Sequence, residues 1–572
     1  MLDGMKYSLE NQAINPQQQE QILNLCRQIT RNREIVSACV FGARANGYGT
    51  EKSDVNVLLI VRNYPSRLMV YPKMLNVVNA FFLVVDSGLF EADIQQGIIG
   101  EFLAEKIMLP YQPLINPEYL QSQEVKLKKR VIWELLENLV LEYPEMSYEF
   151  VLKPKYFMYE DMARKARLFP LMTYTFLNTF RSDLRKRNIE RMMKGYIIAL
   201  GQLAEEGWIT LAKGTIKINK TFIKRVNKRR IRLLTLFRTI QRGLLLYLLR
   251  TFPGVIHPTL EDQELYFKMH KQTTEERLVF QLDASQRFLL VPTPYGLVPF
   301  CDTTDIEDFV RKLAPSRGAT KIELKRLGGV LNTVYLVSFD KNGQKQRIIV
   351  KKYKDWFAFK WFPLALWTLG THSFAVLGQT RLEREYAINQ FLSQNRFAVP
   401  KILHVSPQQR LIFKEYVEGT SMTKIVKRIV NAETKNEKDM AIIRKIGEKL
   451  AKAHALGVAL GDCKPENIVI TKDGEPVFLD LEQATRNENQ AWDIAEFLYY
   501  SGHYISPLAN TNAAELITRA FIEGYLQGGG KKETIKKAWS AQYTKVFAIF
   551  TPPQVIFTIS SICRKIGAPA RR

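Results

Sequence analysis

The stretch Gly461–Ile470, GDCKPENIVI, is followed at short range by Val477–Ala484, VFLDLEQA. In it an acid, Asp462, precedes an amide, Asn467, and a second acid, Asp480, closes an apolar run. Phosphate transfer calls for this combination. One carboxylate faces an acceptor hydroxyl, while a second carboxylate and an amide oxygen hold a divalent cation on the phosphates. The rest of the C-terminal half is read outward from these three residues.

Upstream, LGGVLNTVYLV (Leu327–Val337) sets Gly328 and Gly329 at a strand turn, where backbone without side chains can approach phosphates closely. Lys351 closes the apolar strand RIIVK, and Glu385 lies in the helical pattern RLEREYAINQFL, so an ion pair between them could hold the lysine against a nucleotide. In this order the residues resemble the protein kinase superfamily over about Lys321–Tyr504. GDCKPEN resembles the catalytic-loop pattern RDLKPEN, which implies Asp462 as the acceptor of the hydroxyl proton, Lys464 near the γ-phosphate and Asn467 as a magnesium ligand. LDLE resembles the DFG element, which implies Asp480 as the principal metal ligand. FKEYVEG (Phe413–Gly419) resembles the hinge that receives adenine through the backbone around Glu415 to Val417. The resemblance also implies Val334 in the ATP site, and ATP with magnesium, or manganese in its place, as cofactors.

Departures narrow the group. Leu460 replaces the catalytic-loop histidine, Leu327 and Asn332 stand at two usual loop glycines, and Glu482 replaces the DFG glycine. WDIAEFLYY follows so soon after DLEQA that no room remains for an activation loop and a peptide-docking segment. The chain looks closer to compact, atypical kinases, such as the RIO type and the small kinase that assists tRNA threonylcarbamoylation. In that group the acceptor is a protein, a small molecule or water. Residues 357–377, rich in aromatics, add an element between the lysine strand and the Glu385 helix; a packing hairpin, a lid, a partner surface and a membrane contact all remain open.

A second phosphate motif lies near the start. FGARANGYGTEKSDVNVLLI (Phe41–Ile60) resembles the minimal nucleotidyltransferase pattern of the DNA polymerase beta superfamily, with Gly42, Gly47, Ser53 and Asp54 matching. The family shares its metal ions among carboxylates on neighbouring strands. Ala43 replaces the serine hydroxyl and Asn56 replaces the second carboxylate, so the resemblance implies the fold with a degenerate site. Asp86, ending AFFLVVD, is the candidate third acid, with Asp93 as the alternative.

Composition sets the outer bounds. The 572 residues are 46% hydrophobic and 24% charged, a globular balance, but 82 Lys+Arg against 57 Asp+Glu leave +25. A polyanion is therefore an expected partner: nucleic acid, an anionic membrane surface or nucleotide phosphates. Thr221–Arg250 carries many Lys and Arg and no acid, with apolar residues at helical spacing, which fits an RNA- or membrane-binding surface or a solvated helix with one buried face. The five scattered cysteines form no CxxC pair, so neither a disulfide framework nor a zinc site is expected, and the cytoplasm is the expected compartment. No secretory signal and no membrane span is legible.

The expected fold class is an α+β multidomain chain. It comprises a small α/β nucleotidyltransferase-like domain over 1–125, a helical, winged-helix-like basic segment over 126–250, a proline-rich connector over 251–315 and a bilobal protein kinase-like domain over 316–572. The expected activity is ATP-dependent serine/threonine-type phosphotransfer. An RNA-binding ATPase switch and a small-molecule or lipid kinase are the alternatives.

Overall fold

The computed structural model of the protein describes residues 14–31, 33–168, 171–228, 282–314, 322–328, 332–341, 343–355, 375, 377–432, 436–486, 489–508 and 510–566. The chain divides into two compact units, Met1–Pro144 with Val151–Leu290, and Glu145–Phe150 with Val291–Arg572.

The first unit opens with helix α1 (Pro16–Thr30), followed by β1 (Ile35–Phe41), the short helix α2 (Ala43–Asn46), β2 (Val55–Val61), β3 (Leu68–Leu75), β4 (Val78–Asp86), α3 (Ser87–Gln96), α4 (Glu105–Met108) and β5 (Gln112–Ile115). The strands form one sheet in the order β3-β4-β2-β1-β5. β2 and β4 run parallel at its centre, and both are almost continuously apolar, as strands covered on both faces must be. One face places Val55, Val57, Leu59, Phe82 and Val84 against Ile22 and Cys26 of α1.

Helix α5 (Pro117–Glu142) runs without interruption through the expected boundary at residue 125. Asn116 caps it by accepting from Tyr119 N, Pro117 starts it, and nothing in the pattern breaks it later. The expected first and second domains therefore lie in one unit. After β6 (Val151–Leu152), α6 (Lys155–Leu168) and α7 (Leu171–Thr179), helix α8 (Arg185–Glu205) leads into β7 (Ile209–Ala212) and β8 (Thr215–Ile218). Lys213 and Gly214 both adopt positive φ, 48° and 73°, as a two-residue hairpin of this hand requires. Helix α9 (Lys220–Lys228) buries Phe222, Ile223 and Val226, and Phe222 meets Trp133 edge to face at 4.9 Å. The start of the basic strip thus packs one face inward; its remainder, 229–250, lies outside the described residues, as does almost all of 357–377.

The second unit begins well before residue 316. Following β9 (Leu289–Thr293) and β10 (Gly296–Pro299), helix α10 (Ile306–Leu313) buries Phe309, Val310 and Leu313 on one face of a five-stranded antiparallel sheet. That sheet consists of β11 (Ile322–Gly328), β12 (Asn332–Lys341), β13 (Gln344–Tyr353), β14 (Ile402–Ser406) and β15 (Leu411–Glu415) in the order β11-β12-β13-β15-β14. Phe309 stacks on His404 and lies 4.5 Å from the Phe413 ring. Of the prolines that suggested a connector, Pro292 and Pro299 sit in short strands and Pro294 just after one, where a missing N–H is tolerated, while Pro253 and Pro258 lie outside the described residues. Helix α11 (Gly378–Gln394) follows β13.

Beyond β15 the chain becomes largely helical: β16 (Thr420–Ser421), α12 (Met422–Asn431), α13 (Glu437–Ala455), β17 (Val458–Ala459), β18 (Ile468–Ile470), β19 (Pro476–Phe478), β20 (Thr485–Arg486), α14 (Gln490–Gly502), α15 (Asn512–Gln527), α16 (Lys532–Ala538), α17 (Ala541–Phe547) and α18 (Pro553–Ile566). Helices α13 and α15 meet backbone to backbone. A Cβ on Gly524 would lie 1.9 Å from Arg444 O, and one on Gly447 would lie 2.2 Å from Phe521 O. Gly524→Ala is expected to destabilise the chain by about 1–3 kcal/mol, as overpacking does, whereas Gly201→Ala on α8, with nothing within 4 Å, should be neutral or slightly stabilising. Urea unfolding of the full chain compares the two.

Candidate active site

Strand alternation decides which side chains reach the cleft. Register pairs Val334 with Lys351, Asn332 with Tyr353, and Lys351 with Ile412, so these residues and Lys414 share one face, opposite the face that packs on α10. Lys351 is almost fully buried, and a buried ammonium must be paired. Its Nζ lies 3.0 Å from Glu385 Oε2, 2.7 Å from Asp480 Oδ1 and 2.7 Å from Glu482 Oε2. An ammonium has three donors, and here each has a carboxylate. These acids have oxygens within 4.8 Å of one another, a spacing that suits a metal ion, but the lysine is the cation among them.

Four further side chains complete the network. Lys414 donates to Glu385 Oε1 and, at 2.8 Å, to Leu479 O, while Tyr353 donates to Glu385 Oε2. Arg381, one helical turn before Glu385 and fully buried, reaches Glu482 Oε1 at 3.2 Å and Asn332 Oδ1 at 2.7 Å. Asn332 Nδ2 donates to Glu482 Oε2 at 2.6 Å. Burial pushes the Asp480 carboxyl up, yet Lys351 and Lys414 hold it down to about 2. The Glu482 carboxyl is raised, because burial and the nearby Asp480 charge outweigh Lys351 and Arg381.

The catalytic-loop stretch is gripped from α14. Asp493 accepts from Leu460 N at 2.6 Å and Gly461 N at 2.7 Å, Trp492 Nε1 donates to Gly461 O, and Glu496 accepts from Cys463 N at 2.7 Å. Gly461 has φ 72°, and a Cβ there would meet Gln483 O at 2.5 Å, so only glycine lets this loop pass the Asp480 segment. Lys464 Nζ stands 3.1 Å from Asp462 Oδ1. Burial raises the Asp462 carboxyl against that pairing, which suits a group that takes up a proton. Asn467 Nδ2 donates to Asp462 O at 3.1 Å, and Asn467 O accepts from Leu479 N at 2.9 Å. With its amide nitrogen occupied, Asn467 has its amide oxygen to offer a hard cation alongside the Asp480 carboxylate.

Lys351, Glu385, Asp462, Lys464, Asn467 and Asp480 are therefore gathered by one set of linked contacts. Val334 lies on the same face, and Gly328 ends β11 at a register irregularity, while Gly329 lies outside the described residues. Glu415 N donates to Lys401 O and its carboxylate accepts from Lys401 N, so Glu415 is tied to the sheet edge; Val417 follows it, half-buried, between β15 and β16. Sequence reasoning missed Lys414, Arg381, Asp493 and Glu496, and took Asn332 and Glu482 only as departures. The spacing of Arg381 and Glu385 in RLERE was the available signal.

The N-terminal motif is assembled differently. Gly42 has φ 82°, and a Cβ there would meet Asn56 Nδ2 at 3.1 Å. Ser53 Oγ accepts from Thr50 N, and Arg44 donates to Ser53 O and Glu51 O, so the loop bonds to itself. Asp54 immediately precedes β2, and the parallel register sets Asn56 beside Phe81 but Asp86 beside Val61. At ~3.3 Å per residue the two lie about 16 Å apart along the strands. Asp86 instead caps α3, accepting from Gly88 N and Leu89 N as well as Tyr64 N. Asp93 is fully buried and accepts from Ile99, Glu101, Leu103 and Ala104 N. Neither serves as the third acid. An acid ending a strand before a helix reads as a ligand or as a cap, and here capping wins.

Comparison with known proteins falls on the second unit. Residues 344–506 match the lipopolysaccharide kinase (Kdo/WaaP) family. The chain is 25% identical over 168 residues to a probable serine/threonine-protein kinase BUD32 homolog of Archaeoglobus fulgidus, covering 28% of this chain and 84% of that protein. It is 24% identical over 105 residues to the KEOPS complex subunit Bud32 of Pyrococcus abyssi, covering 18% of this chain and 45% of that one. The second unit thus carries a kinase-like domain of phosphotransferase type. Among the described residues no helix is long and apolar enough to cross a membrane.

For the N-terminal motif, Asn56→Asp supplies a second carboxylate but no third, since Phe81 stands at the paired position. Manganese titration of this variant by calorimetry should show no site tighter than about 1 mM. A micromolar site would reveal a ligand that the register does not supply.

Proposed function

We propose that the protein is an ATP-dependent phosphotransferase acting on a hydroxyl group. The observation that carries this reading is the joint placement of Lys351, Glu385, Asp462, Asn467 and Asp480 through one chain of contacts. Asp462 accepts the proton of the acceptor hydroxyl as its oxygen bonds to the γ-phosphorus and ADP departs. Lys464, beside Asp462, offers a cation to the transferred group. Lys351 neutralises phosphate charge, and the segment around Val417 faces the base. Asp480 and Asn467 would hold magnesium, or manganese in its place, which supplies charge neutralisation on the phosphates when bound.

A serine or threonine hydroxyl of a protein is the first acceptor class, in keeping with the name of the Archaeoglobus relative. A sugar or lipid hydroxyl is the second. It is favoured by the family match over 344–506 and by the short run from Asp480 to the start of α14 at Gln490, which leaves no room for a peptide-docking segment. The Pyrococcus relative is named as a complex subunit, and a protein partner belongs to our reading of this chain. In the first unit the metal-poor motif fits binding of a nucleotide or RNA without chemistry.

The test incubates purified full-length protein with γ-labelled ATP and follows label into protein, small molecules and inorganic phosphate. Asp480→Ala should reduce transfer to background in a chain that still folds, with the thermal midpoint lowered because Lys351 loses one of its three carboxylates. Asp462→Asn should lower kcat by about 100-fold or more while ATP still binds. Full activity in either variant removes that residue from the mechanism.

A further inference from the structure

In the reading above Lys351 meets phosphate, yet in the structure its ammonium is committed to three carboxylates. Withdrawing it would strand buried negative charge unless another cation remained. Two of the three acids are built alike. Glu385 gives Oε2 to Lys351 and to the Tyr353 hydroxyl, and keeps Oε1 for Lys414. Glu482 gives Oε2 to Lys351 and to the Asn332 amide, and keeps Oε1 for Arg381. Each has one oxygen on the shared lysine and the other on a cation of its own.

We propose that Lys414 and Arg381 are positioning residues that hold Glu385 and Glu482 while Lys351 turns to the phosphates of a bound nucleotide, so that Lys351 is a cation transferable between protein and ligand. The count of charge supports this. Lys351, Lys414 and Arg381 balance Glu385, Asp480 and Glu482, and after Lys351 turns away both glutamates still face a cation and a neutral donor. Lys414 has a second task, because its contact with Leu479 O fixes the carbonyl immediately before Asp480. An apolar side chain would fill the same place at lower desolvation cost, so a buried lysine here is explained by its charge. The inference rests on the ATP reading.

Lys414 is the residue to test, since Arg381 is fully buried and its loss endangers folding. Binding of ATP, ADP and adenosine to the full chain would be measured by calorimetry for wild type, Lys414→Met and Lys414→Arg, with thermal unfolding as the control for folding. Without Lys414, Glu385 keeps a stronger hold on Lys351. ATP and ADP affinity should then fall about tenfold or more, adenosine affinity should stay within about twofold, and arginine should restore most of the loss. If the methionine variant does not fold, Lys414→Gln, which keeps a donor for Leu479 O, carries the same expectation. Unchanged ATP affinity in the lysine-free variant overturns the proposal, and so does a loss for adenosine equal to that for ATP. Failure of the wild-type chain to bind ATP overturns the phosphotransferase reading and this proposal together, which separates the two failures.

Discussion

One ammonium group organises the second unit. Lys351 draws together a carboxylate from α11 and two from the segment after β19, side chains that hydration would otherwise keep apart. Each of these charges is costly to bury alone, and the arrangement is favourable only because all are satisfied at once. The position of α11 against the sheet follows from it. Arg381 and Glu385, a turn apart on the same face, are both bonded to groups outside the helix, so sliding or rotating α11 would break two ion pairs together.

The reacting end depends on a different kind of restraint. Asp462 is placed by backbone N–H groups of its own loop that bond to Asp493 and Glu496, acids projecting from a rigid helix. Those acids are buried, and Glu496 is pushed far above the ordinary carboxylate range by burial and by the charge of Asp462. Carboxyl oxygens at this end fix a loop by accepting from its backbone, whereas charge around Lys351 surrounds the place where phosphates would bind.

What could be read from the sequence was what is local, together with the Lys351–Glu385 pair that the order of the kinase-like motifs implied. Asp462 and Asn467 share one loop, and the apolar run before Asp480 fixes its strand, so residue spacing was enough to bring them together. Lys414 carries no such signal, because its partners come from distant stretches and an isolated lysine reads as a solvated side chain, and the one signal for Arg381, its spacing from Glu385, does not point to its partner Glu482. Asp86 was misplaced for a geometric reason. β2 and β4 are parallel, so residues near the start of one meet residues near the start of the other, and an acid ending β4 lies far from Asn56. Prolines between 251 and 315 suggested a connector, but the amphipathic run that became α10 needed the sheet face it covers before its role could be seen.

The shortness of the run from Asp480 to α14 bears on how such a protein could be turned on and off. Between Leu481 and Asn489 the one hydroxyl is Thr485, which is buried within the small pairing of β20 with β17. A modifying enzyme would have to pull that pairing apart to reach it, and the loop held by Asp493 would move with it. No covalent toggle fits in this stretch. A switch on such a protein would have to act elsewhere, through the supply of nucleotide or through what is allowed to approach Asp462.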